Sequence, residues 1–262
     1  MNCGMVRETL DNVRRMSGDG TRARSVAYSD QGTRLPGVLH WNEERRGKRP
    51  GILLIHGGAG LDEHAREQAR RYARLGYAVF ACDMFGDGVA GDRERVIACI
   101  TALRDDPALL ARRGQAGLSA LARCPQAGGP FAAIGYCFGG MAVLALARSG
   151  TELAAAVSIH GSLATSAPAQ PGAVKARVLV CHGSMDPHVP MDHVAAFADE
   201  MDRAGARWQL IMYGGARHGF THKQAVPSVT PGVAYDPDAD QGSFTATRQL
   251  LAEVLAGSAD LG

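Results

Sequence analysis

Gly135, Tyr136, Cys137, Phe138 and Gly139 set one thiol between two glycines, with Gly140 directly behind. Glycines two residues to either side of a cysteine suit a turn so tight that side chains there would collide with the chain. Where such a turn carries a strand into a helix, the sulfur stands at the helix N-terminus, whose dipole and free N–H groups favour a thiolate. The chemistry this allows is nucleophilic attack on an electrophilic carbon, with a covalent intermediate on sulfur. The competing reading of a lone cysteine is a small buried hydrophobe. The choice rests on whether a base and an acid stand where the turn needs them.

Both are present, in the order this turn requires. Asp186 lies in CHGSMDPHVP, just beyond the apolar run Val178 to Cys181, where Gly183 and Pro187 can aim a carboxylate into a cleft. His218 lies in YGGARHGF, beyond the run Trp208 to Tyr213, in a loop freed by Gly214, Gly215 and Gly219. Alone, Asp186 reads as a turn or helix-capping residue and His218 as a solvated loop histidine. Together with Cys137 they place nucleophile, acid and base at three strand ends. His182 and His188 flank Asp186 too closely to pair with it across a cleft, although His188 can line the pocket.

A further loop, His56-Gly57-Gly58-Ala59-Gly60, follows the apolar run Gly51 to Ile55. It is placed to supply one oxyanion donor, the Gly58 N–H, with the Phe138 N–H as the second. His56 is read as a brace for this loop. Gly57, Ala59, His188 and His222 are candidates for the substrate-binding wall, as are Phe85, Tyr136, His160 and Phe220. A dinucleotide site is the rival for a glycine loop, but GGAGLDE lacks the GxGxxG register. His218 to His222 lacks the glutamate of HExxH, and aspartates 236, 238 and 240 fail the later positions of a calcium loop, so those aspartates read as a solvated loop and no metal or other cofactor is implied.

The elements that must hold these residues follow from the apolar pattern. The short continuous run 51–55 reads as a strand buried on both faces, and 77–82, 131–134, 155–159, 178–181 and 208–213 read as further strands. Helices are expected at about 63–75, 92–124, 139–148, 192–204 and 242–255, and Ser25 to Trp41 reads as hairpin strands turning at Asp30, Gln31 and Gly32. Strands alternating with helices give a doubly wound, mostly parallel α/β sheet of the α/β-hydrolase type in one domain, with function at the strands' carboxyl ends. The domain is assigned to residues 21–262, and residues 1–20 to an N-terminal extension or leader. Residues 223–241 read as a long loop that could form a rim or lid.

Composition narrows the function. The 28 Lys and Arg against 26 Asp and Glu are scattered, which is no footprint for nucleic acid. Six cysteines without a CxxC pair fit reduced thiols in the cytoplasm rather than a disulfide scaffold. The longest mainly apolar run, Phe131 to Ala147, is short of the ~20 residues of a bilayer span and holds glycines, so no membrane partner is expected.

The motifs GYCFGG, LVCHGSMDPHVP, YGGARHGF and GVAYDPDAD resemble the dienelactone hydrolase family, over about Val26 to Leu255. The resemblance implies that Cys137 is nucleophile, Asp186 acid and His218 base. Classical members carry a glutamate at the position of Gly57 and a carboxylate-binding arginine at that of His222. Both departures favour a neutral or aromatic ester, thioester or lactone over dienelactone itself. The expected enzyme is therefore a carboxylic ester or lactone hydrolase acting on small molecules, a monomer or homodimer, with phosphotriester cleavage by the same cysteine as an alternative. A non-catalytic binding protein, or a redox sensor with Cys181 as resolving thiol, are rivals on the same fold.

Overall fold

The computed structural model describes residues 13–14, 20–225 and 230–255. The leader expected at residues 1–20 therefore lies almost wholly outside the described residues. A strand β1 (Val13–Arg14) pairs antiparallel with β2 (Thr21–Ser25). Strands β3 (Tyr28–Asp30) and β4 (Thr33–Leu35) form a separate hairpin turned by Gln31 and Gly32, both at positive φ, as a two-residue hairpin loop requires.

The main sheet continues with β5 (Gly37–Asn42), β6 (Arg49–Ile55), β7 (Ala78–Cys82), β8 (Ala127–Tyr136), β9 (Ala155–Ile159), β10 (Arg177–Gly183) and β11 (Arg207–Tyr213). Its nine described strands run in the order β1-β2-β5-β7-β6-β8-β9-β10-β11. From β7 to β11 every pairing is parallel, and β1, β2 and β5 extend one edge antiparallel.

Six helices cover the sheet: α1 (Glu63–Arg74), α2 (Arg93–Asp105), α3 (Pro107–Ala122), α4 (Phe138–Arg148), α5 (Met191–Arg203) and α6 (Pro237–Leu255). Strand alternation sorts the core into two layers. Leu53 and Ile55 of β6 pack with residues of α3, α4 and α5. Ile52 and Leu54 point the other way, towards Ala65, Ala69 and Tyr72 of α1 and Leu251 of α6. Both faces are buried, so these strands read as unbroken apolar runs.

Helix starts are fixed by aspartates. Asp62, Asp92 and Asp106 each accept a hydrogen bond from the backbone N–H three residues on, which satisfies an amide the helix leaves unpaired. Asp236 does the same for the last helix, accepting from Asp238 and Ala239 N–H. That helix begins at Pro237, five residues before the sequence pattern suggested, because proline suits a first helical position. Asp240 is consequently not solvated: it is 4% exposed and bonded to Arg71 of α1 at 2.8 Å. Among the described residues no helix is long and apolar enough to cross a membrane.

Candidate active site

Strand β8 delivers Tyr136 to the top of the sheet, and α4 starts one residue after Cys137. Between them Cys137 takes φ 54°, a left-handed conformation that non-glycine residues rarely adopt. The glycines make this turn possible by steric necessity. A Cβ at Gly135 would overlap the backbone of Gly139, and one at Gly139 would overlap the carbonyl of Ile55 on β6.

Cys137 is partly exposed, and the two expected partners reach its sulfur. His218 Nε2 lies 3.1 Å from Cys137 Sγ, and His218 Nδ1 lies 2.8 Å from Asp186 Oδ2. Asp186 is 5% exposed, and its other oxygen accepts the His188 N–H at 2.8 Å. The His218 loop is held by residues beyond it, since Ala234 N–H donates to the His218 carbonyl and Val233 bridges to the same residue. So the described part of the expected lid is docked on the base's loop, and residues 226–229 lie outside the described residues.

Electrostatics follow from these contacts. Burial alone would raise the Cys137 pKa, but the hydrogen bond and charge of His218, joined by N–H groups of Phe138 and Gly58, hold it below the ordinary thiol value. For His218 burial would lower the pKa. The bonds to Asp186 and Cys137 outweigh that and raise it to about 10. Asp186 is held below the usual carboxylate range: burial opposes this, and the His218 bond, His218 charge and His188 N–H overcome it. The arrangement can hold a thiolate beside an imidazolium, with the Phe138 and Gly58 N–H groups already aimed at the sulfur.

Gly57 borders the thiol directly. A Cβ there would lie 3.6 Å from Cys137 Cβ and 3.8 Å from His222 Nε2, so the missing side chain leaves a gap between sulfur and imidazole. Ala59 is exposed on the same loop and His188 is exposed with its ring edge-on to His218, 4.9 Å between centroids. A cleft of about 490 Å³ opens behind His222, between α1 and the loop after His218. His56 is buried at the foot of the Gly57–Gly60 loop, donating from Nδ1 to the Gly57 carbonyl and accepting the Met84 N–H on Nε2.

Four residues read as pocket lining are placed differently. Tyr136 is 1% exposed and shares the β8 face of Ile134, where its hydroxyl meets Gln68 and Tyr72. Phe220 is fully buried against His160 and Tyr213. Phe85 is 3% exposed and wedged between the rings of His56 and Phe138. His160 is fully buried and hydrogen-bonded at both ring nitrogens. These side chains support the walls and offer a substrate no free surface. Among the described residues no group of three or more His, Cys, Asp or Glu side chains is arranged to hold a metal.

The family model of the dienelactone hydrolase family matches residues 35–255. The chain belongs to the dienelactone hydrolase family. Among solved structures, m3DLH is 40% identical, with a TM-score of 0.85 over 90% of this chain and 99% of that one. A dienelactone hydrolase-like promiscuous phosphotriesterase from metagenomic libraries is likewise 40% identical over 90% and 99% of the two chains, at a TM-score of 0.84. An uncharacterized protein of Caenorhabditis elegans is 35% identical over 71 residues, 27% of this chain and 45% of that protein's length.

Within this dienelactone hydrolase fold, sequence reasoning missed His64 and Thr221. The His64 ring stacks on His222 at 3.7 Å between centroids and 18° between planes. Thr221 Oγ1 lies 2.9 Å from both His64 Nε2 and His160 Nε2. His64 belongs to no motif; the available signal was Gln68, a polar residue on the otherwise apolar stripe Ala65, Ala69 and Tyr72 of α1.

Proposed function

We propose that this hydrolase cleaves carboxylic esters, aryl esters or lactones through an acyl-cysteine intermediate, with Cys137 as nucleophile, His218 as base and acid, and Asp186 as its orienting carboxylate. The observation that carries this reading is the unbroken contact from Asp186 through His218 to the Cys137 sulfur. The thiolate bonds to the carbonyl carbon, and the displaced electron pair becomes an oxyanion facing the N–H groups of Gly58 and Phe138. Collapse expels the alcohol oxygen, which takes the proton of the His218 imidazolium. Water then gives a proton to neutral His218 as its oxygen attacks the thioester. The acid leaves, and thiolate and imidazolium are restored.

Charge around the site supports a neutral substrate. The rim of the cleft carries Asp62, Glu63 and Glu67 against Arg71, itself paired with Asp240, and Lys223. His222 is kept uncharged by burial and by the charge of His218, although Asp62 opposes this. Carboxylates outnumber cations along this cleft beside His222, which disfavours an anionic group there.

Phosphotriester cleavage by the same sulfur is the second reading. The gap at Gly57 gives room for the extra substituent of a tetrahedral centre. A relative 40% identical is described as a promiscuous phosphotriesterase. Paraoxon turnover that is lost in Cys137→Ala would support this activity, and its absence at high enzyme concentration would remove it.

The rivals are disfavoured by particular contacts. A resolving thiol at Cys181 would have to ionise, yet that residue is fully buried and burial pushes its pKa up to about 12. A purely structural elbow gives no reason for a cysteine at positive φ whose sulfur faces an imidazole. Free thiols fit a reducing compartment, and we place the protein in the cytoplasm as a monomer or homodimer acting on small molecules.

The test is hydrolysis of p-nitrophenyl acetate and butyrate with and without iodoacetamide and EDTA. Turnover lost on alkylation and indifferent to the chelator supports the proposal. Turnover that survives alkylation, or no turnover at all, contradicts it.

A further inference from the structure

Cys137 N–H donates at once to the Ile159 carbonyl, at 3.0 Å, and to His160 Nδ1, at 3.1 Å. An amide only donates, so His160 Nδ1 must present a lone pair. His160 is enclosed by Tyr136, Phe220, His218, His222 and His64, with no carboxylate among its ring contacts. Burial, then the charge of His218, keep it neutral. Its single proton is therefore on Nε2 and points to Thr221 Oγ1, 2.9 Å away.

Thr221 Oγ1 therefore accepts from His160, and it also lies 2.9 Å from His64 Nε2. Thr221 itself is 2% exposed, so no solvent competes for its oxygen. His160 sits at φ 42°, a second left-handed non-glycine residue beside the first, and its own N–H is tied to the Cys181 carbonyl at 2.8 Å.

We infer that the Thr221 hydroxyl is a positioning residue for the nucleophile: by accepting the His160 Nε2–H it holds that ring with Nδ1 against the Cys137 amide. This deepens the proposed hydrolase reading by naming what holds its elbow. Without an acceptor at Thr221, the buried His160 Nε2–H is left unpaired, and the ring loses the contact that holds Nδ1 against the Cys137 N–H. The elbow amide then keeps only its bond to the Ile159 carbonyl.

Two measurements test this, and neither needs a substrate, so they stand apart from the question of esterase activity. In native protein with labelled histidine, long-range proton–nitrogen spectra should show His160 as the Nε2–H tautomer. A protonated Nδ1 on His160 would overturn the inference. In the second, Thr221→Val should slow iodoacetamide alkylation of Cys137 about tenfold, the loss of one well-made bond, at a melting temperature that shows the chain still folded. Thr221→Ser, which keeps the hydroxyl, should restore the native rate. Alkylation at the native rate in Thr221→Val, or a serine variant as slow as the valine one, would overturn it.

Discussion

His218 Nε2 sits 3.1 Å from Cys137 Sγ, and the two groups shift in opposite directions: the thiol is held below its ordinary pKa while the imidazole is raised to about 10. Both directions favour the shared proton on the ring and the thiolate on the sulfur. A free cysteine loses reactivity as pH falls through about 8.5. Cys137 should lose its iodoacetamide alkylation rate at a lower pH than that. An alkylation profile that follows the free-thiol value would show that the pair does not form.

Asp186 carries the imidazolium by a single 2.8 Å contact, and His188 N–H holds the other carboxylate oxygen. Asp186→Asn keeps the shape and removes the charge. Turnover should fall on the order of 10³-fold with little change in KM, because the lost interaction belongs to the charged states of the reaction. A variant with near-native kcat would mean that this carboxylate has no part in the chemistry.

The Gly57 gap can be filled without disturbing the backbone. An added methyl would make ordinary contacts with Cys137 Cβ and His222. Gly57→Ala should therefore melt close to the native temperature while lowering kcat/KM for bulky aryl esters more than for p-nitrophenyl acetate. An equal loss for both substrates would place the gap outside the substrate path.

The elbow was legible in the sequence because its glycines answer to backbone overlap, which no distant residue can relieve. Asp186 and His218 were legible because each follows a strand-like run, although only the first, β10, is buried, and β11 is a half-exposed edge strand. The lining residues were harder. Tyr136 adjoins Cys137 in sequence, but as the last residue of β8 it shares the face of Ala132 and Ile134, and so it is buried against α1. His160 stands at the end of β9 near the sulfur, yet its ring nitrogens are taken by Cys137 N–H and Thr221. The α6 start was missed because the proline and aspartates of 236–240 suit a loop equally well. Only the docking of Asp240 on Arg71 decides between the two.

His40 offers a test of the fold independent of the site. It is 3% exposed, and Nε2 has no hydrogen-bond partner among the described residues. Burial first, and then Arg70 and Arg66, lower its pKa from 6.5 to about 4, against a smaller opposing effect of Glu63. Between those values the unfolded chain binds a proton that the folded chain refuses. Stability is therefore lost as pH falls through this window, by up to ~3 kcal/mol, and the loss is complete below the folded value. His40→Leu should show a smaller drop in melting temperature from pH 7 to pH 4 than the native protein. An equal drop would mean that His40 is protonated in the fold.

The most direct measurement is mass spectrometry of protein quenched during turnover of an aryl ester, followed by mapping of the acylated peptide. The acyl group should be found on Cys137 and accumulate when His218 is replaced by a residue that cannot activate water. It should be absent from Cys137→Ala, which should also lack turnover. An acyl group on another residue, or undiminished hydrolysis by Cys137→Ala, would contradict the role given to this sulfur.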